Sequence, residues 1–206
     1  VGDPHWRGFN YTGGPWNLAK GQPGNTYSLY RDGQGAKLNS LFGAGGRDGT
    51  ATFIRSITFL RGTNKVTASL VNIGKDWVLQ VVVNGRRLAA LQSATLPGGG
   101  VVQATPSKRG RPTGVVITLP YLRILARQRN PFKAGQVSSP RYGSWLDVYL
   151  TVLAPLPTPV QGLLGNTYVP PKAGSLSAGG GQAGAGGGQG GAAFVPQTAA
   201  LTFTPQ

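Results

Sequence analysis

The sequence predicts an all-β fold, an antiparallel β-sandwich of many short strands with a Gly-rich flexible C-terminal tail. Three observations carry that expectation. Short segments alternate apolar and polar residues with a period of two, and Gly, Pro and Asn turn signals separate them. Nowhere does a 3.6-residue apolar period persist for a dozen residues.

Residues 1 to about 50 are rich in Gly, Pro, Asn and aromatics and read as tight turns with short extended pieces such as Asn25-Thr26-Tyr27-Ser28-Leu29-Tyr30. From Thr52 to Leu60, Phe53, Arg55, Ile57 and Phe59 interleave with Thr52, Ile54, Ser56 and Thr58, which predicts a strand with one aromatic-bearing face. Val66, Ala68 and Leu70 alternate with Thr67, Ser69 and Val71; Trp77, Leu79, Val81 and Val83 alternate with Val78, Gln80 and Val82. The latter run enters Asn84-Gly85, a pair suited to the positive φ values of a type I′ turn, and returns through Arg86-Arg87-Leu88 as a hairpin. Gly114 to Leu119 is short and β-branched, Tyr121 to Ala126 continues the sheet after Pro120, and Leu146, Val148, Leu150 and Val152 alternate with Asp147, Tyr149, Thr151 and Leu153.

These segments place the domain body at 1–171. Apart from Lys172 and Leu176, residues 172–193 are Gly, Ala, Gln and Ser, with almost no side chain able to build a core, and read as a flexible linker. Residues 194–206 recover some pattern at Phe194, Val195, Leu201 and Phe203, enough to return as an added edge strand or to pair with a neighbouring molecule.

Composition narrows the chemistry. A body of this size buries about two-thirds of its unfolded surface, so a core is feasible without staples. With Cys 0, disulfides, thiolate metal sites and cysteine nucleophiles are excluded. Lys+Arg number 20 against five acids, all aspartates (Asp3, Asp32, Asp48, Asp76, Asp147), so the +15 net charge reflects missing acids, and general acids and bases are scarce. No run of about 18 apolar residues offers a membrane helix. The amino end does not read as a signal peptide, and a start at Val1 with Met 0 marks a processed or excised piece, leaving room for a secretory signal upstream.

Two clusters bracket the body: Gly2-Asp3-Pro4-His5 at the start and Gly162-Leu163-Leu164-Gly165-Asn166 near the end. After the first come Trp6-Arg7-Gly8-Phe9, then Pro23-Gly24-Asn25-Thr26-Tyr27-Ser28-Leu29 and Leu38-Asn39-Ser40-Leu41-Phe42; before the second comes Leu146-Asp147-Val148, and after it Thr167-Tyr168. Across residues 2–171 this resembles a von Willebrand factor type D domain, closest to the cysteine-poor variants of secreted plant and green-algal proteins of the root-cap type. The resemblance implies a secreted module that works by assembly and adhesion. It also implies what this version lacks: the positions beside Leu163 that are cysteine in polymerising members are Gln161 and Leu164, and the loop that holds calcium in others reads Thr167-Tyr168-Val169-Pro170-Pro171, without a carboxylate. Calcium is therefore disfavoured, leaving only an unconventional site at Asp32, Asp48 or backbone oxygens.

Some relatives cleave themselves within Gly-Asp-Pro-His, which would make Asp3 the nucleophile, Pro4 the leaving amide and His5 the acid. The competing reading is structural, with Pro4 fixing a turn and Asp3 accepting backbone N–H groups. Between Asp76 and Asp147 the chain has no acid but carries Arg86, Arg87, Lys108, Arg109, Arg111, Arg123, Arg127, Arg129, Lys133 and Arg141, candidates for a polyanion-binding surface or a solvated rim. Asn10-Tyr11-Thr12 is the sole N-glycosylation sequon.

The functional expectation is a non-enzymatic, extracellular structural or adhesive module of a cell wall, matrix or surface appendage. It would meet neighbouring protein chains, with a basic surface for acidic glycans or proteins and no cofactor. A self-processing module cleaving at Asp3-Pro4 and a nucleic-acid-binding or capsid-type β protein are the alternatives; nucleic acid is disfavoured because no zinc, helix-turn-helix or RNA-recognition signature accompanies the charge.

Overall fold

Alternation along the chain becomes two antiparallel sheets packed face to face. The structure, a computed structural model, describes residues 5–7, 9, 17–18, 21–45, 51–74, 76–106, 110–129, 144–168 and 197–202. The strands are β1 (His5–Arg7), β2 (Asn17–Leu18), β3 (Thr26–Arg31), β4 (Lys37–Gly45), β5 (Ala51–Arg61), β6 (Asn64–Ile73), β7 (Asp76–Val83), β8 (Arg86–Leu88), β9 (Ser93–Thr95), β10 (Val101–Thr105), β11 (Gly114–Thr118), β12 (Leu122–Arg129), β13 (Trp145–Val152) and β14 (Thr198–Thr202). One sheet is a six-stranded meander in chain order, β3-β4-β5-β6-β7-β8; the other has eight strands in the order β2-β1-β14-β13-β12-β11-β10-β9. The β-sandwich expected from the sequence is the fold.

Period-two patterning fixes which face is buried. Along β6, Val66, Ala68 and Leu70 point inward while Lys65, Thr67 and Ser69 face out. Leu38, Phe59 and Val81 from the meander meet Val102, Ile117, Ile124, Val148 and Leu150 from the second sheet in one continuous core. Each such side chain contributes roughly 1.5–3 kcal/mol by leaving water, which is why the fold needs no covalent staple.

A β-bulge corrects the expected face of β5. Leu41 lies opposite Ser56 but Phe42 lies opposite Ile54, so Arg55 is the extra residue. One added residue inverts the phase of everything before it. Ile54 thus joins Ile57 and Phe59 in the main core, while Phe53 leaves it to stack on Trp145 with centroids 5.6 Å apart. In β4, Gly43 and Gly45 make room for that arrangement, since a Cβ on Gly45 would fall 1.6 Å from the Phe53 ring.

The C-terminal segment corrects a second expectation. β14 is an interior strand: it pairs with β13 on one side and β1 on the other, with His5 opposite Thr202. Ala199, Ala200 and Leu201 are all buried, and such small or apolar side chains suit a strand covered on both faces. The 172–193 segment lies outside the described residues.

Candidate functional site

The carboxyl-terminal cluster lies against the edge of β3, and the turn that follows it meets Phe9 from the amino end. Residues 161–164 run along the outer edge of β3, where Arg31 and Gln161 exchange two backbone hydrogen bonds of 2.9 Å and the Leu163 and Leu164 amides donate to Ser28 and Leu29 carbonyls. Gly162 is required there, with φ +99° and no space for a Cβ, which would lie 2.8 Å from the Leu29 and Tyr30 backbone. A single 3-10 turn at Gly165–Thr167 follows. From the amino end, the Phe9 amide donates to Thr167 Oγ1 (2.8 Å), and the Phe9 ring meets Tyr168 edge-on at 6.0 Å. Within the motifs, Leu163 covers the core from the side and Gly165 is buried. Gly2, Asp3, Pro4 and Asn10 lie outside the described residues, and of His5 only the backbone, in β1, is described.

Asp32, offered as an unconventional calcium ligand, is spent on structure. Its Oδ2 accepts from the Tyr30 and Tyr121 hydroxyls (2.9 and 2.8 Å), and its Oδ1 accepts from the Gln34 and Ala36 amides (2.9 and 3.0 Å). The carboxylate is 5% exposed and joins the β3–β4 turn to the start of β12 across the sandwich. A cation would have to displace four donors. Asp48 lies outside the described residues, and among the described residues no group of three or more His, Cys, Asp or Glu converges.

At the opposite end of the sandwich the bulged Arg55 is caged. Its guanidinium sits 4.5 Å from the Trp77 ring centroid and 5.4 Å from that of Phe53, and it donates to the Ala44 carbonyl (2.7 Å) and to the Ser144 carbonyl. Burial lowers its pKa to about 10, a cost that the ring faces partly offset. Nearby, Asp147 accepts from Arg129 Nε (2.8 Å) and Trp145 Nε1 (3.2 Å), and this carboxylate holds the Arg129 guanidinium above its ordinary range.

The basic residues expected to form a polyanion surface are distributed over both sheets. Arg86 and Arg87 are exposed on β8, opposite Val83 and Val82 respectively, so they point to different faces of the hairpin. Arg86 borders an open cleft of about 570 Å³ between β8 and β9, lined also by Leu88, Leu91, Ser93 and Thr95. Arg123, Arg127 and Arg129 alternate along the outer face of β12 in the other sheet, the first two exposed and the third paired with Asp147. Arg111 is exposed in the β10–β11 connection, while Lys108, Arg109, Lys133 and Arg141 lie outside the described residues. Strand order separates them: β8 and β12 belong to different sheets.

Sequence reasoning passed over a different set. Arg31, Lys37 and Lys65 share one cross-strand row on the outer face of the meander, Arg31 opposite Lys37, Lys37 opposite Leu60, and Leu60 opposite Lys65. The signal was faint because β4 was not read as a strand, so Lys37 had no assigned face. Compared with known proteins, the chain matches no family model, no curated protein and no solved structure.

Proposed function

We propose that the chain is a non-enzymatic, extracellular module of the von Willebrand D-like kind, a structural or adhesive unit of a cell wall, matrix or surface appendage that engages acidic glycans or proteins. The family likeness of residues 2–171 supports the secreted, assembling character. The observation that carries the rest is how charge is partitioned. Asp32 and Asp147 are buried and committed to internal hydrogen bonds, while Arg31, Lys65, Arg87, Arg111, Arg123 and Arg127 are exposed. Of the three described aspartates only Asp76 is exposed, so exposed positive charge far outnumbers exposed negative charge over broad sheet faces suited to lateral contact.

Retention on immobilised sulfated polysaccharide tests this. The chain should bind at low ionic strength and elute progressively with salt, because the contacts are between exposed charges. Passage through the column at low salt, or equal retention on an uncharged polysaccharide matrix, would remove the acidic-partner reading.

A further inference from the structure

We propose that the polyanion lies across the strands of the meander sheet, on a track formed by Arg31, Lys37, Lys65 and Arg87, and that its occupant is an acidic polysaccharide. This rests on the acidic-partner reading above and assigns it a surface and a ligand class. The track is built by register. Arg31, Lys37 and Lys65 occupy one row on β3, β4 and β6, and Arg87 stands on β8 in the adjoining row that runs Ser28, Asn39, Thr58, Thr67, Val82. With neighbouring strands about 4.8 Å apart, four cations span the six-stranded sheet over about 24 Å.

Two features separate this row from an ordinary solvated rim. Arg31 and Lys37 are directly opposed on an antiparallel pair, an arrangement that costs sheet stability. Among the described residues no carboxylate relieves them: the one ion pair is Arg129–Asp147, and Asp32, the next residue along the chain, turns inward to its four donors. A repulsive pair without a counter-charge is what an external anion would complete. The side chains between the cations are Asn39, Thr58 and Thr67, with Leu60 and Val82. Hydroxyl and amide groups suit the oxygens of a sugar chain, and the track carries no aromatic ring on which bases would stack.

The test uses the whole chain with heparin, polygalacturonate and a single-stranded oligonucleotide as probes, following affinity against salt. Arg31→Ala/Lys37→Ala/Lys65→Ala should weaken glycan binding at least tenfold and flatten its dependence on log salt, whereas Arg123→Ala/Arg127→Ala should change it less than threefold. A thermal midpoint no lower than that of the wild-type chain in both variants shows that the sheet is intact. Loss of binding only in the Arg123/Arg127 variant overturns the track and leaves the acidic-partner reading standing. Wild-type chain that ignores both glycans overturns both, and preference for the oligonucleotide overturns the assigned ligand class.

Discussion

A single carboxylate shows how residue chemistry and fold stability are linked. Asp32→Ala leaves the Tyr30 and Tyr121 hydroxyls without their acceptor, and at about 1–3 kcal/mol for each buried orphan the variant should lose several kcal/mol in urea unfolding. The phenols themselves set an alkaline limit. Burial first, and then the Asp32 carboxylate, hold both above the ordinary value of 10.0, so as pH passes 10 the unfolded chain releases protons that the native chain keeps, and stability falls. Arg55 acts with the opposite sign, because its folded value is lowered to about 10, so above that pH the native chain releases a proton that the unfolded chain still holds and stability gains. Two tyrosines outweigh one arginine: the urea midpoint should drop from about pH 9 to about pH 11, and drop less in Tyr121→Phe. On the surface, Lys37→Glu should do the reverse of a typical substitution, stabilising the sheet by about 0.2–1 kcal/mol through pairing with Arg31 while weakening glycan retention.

At the scale of elements, edges matter most. β3 ends the meander, and residues 161–164 cover part of its free side. Gly162→Ala should lift that cover, lowering the thermal midpoint by several degrees and, by light scattering, promoting self-association through the exposed edge. The β7–β8 hairpin was legible in the sequence because Asn84 and Gly85 adopt the positive φ values, 49° and 83°, that their chemistry favours. β4, β9 and β10 were not, since Gly43 and Gly45 dilute the first and the others are only three and five residues long. The bulge at Arg55 was equally hidden: it arises from fitting Phe53 against Trp145, a partner far along the chain. The basic track was missed for the same reason, because a row across strands exists only once register is set, whereas the Arg123–Arg127 spacing is visible along one strand.

For the whole molecule, the placement of β14 has a temporal consequence. Among the described residues, β1 and β2 join the rest of their sheet only through residues 198–202, so the eight-stranded sheet falls into two parts without that strand. Removing residues 197–206 should therefore abolish one cooperative transition in thermal denaturation rather than shave it. On a ribosome, the meander, whose neighbours in space are neighbours in sequence, can form early. β1 and β2, made before it, can pair with each other but must wait for residues 198–202 to join the rest of their sheet. Such long-range closure makes folding slow relative to a meander of equal size, and it makes the arrival of residues 198–202 the event that decides whether β1 is ever joined to the rest of its sheet.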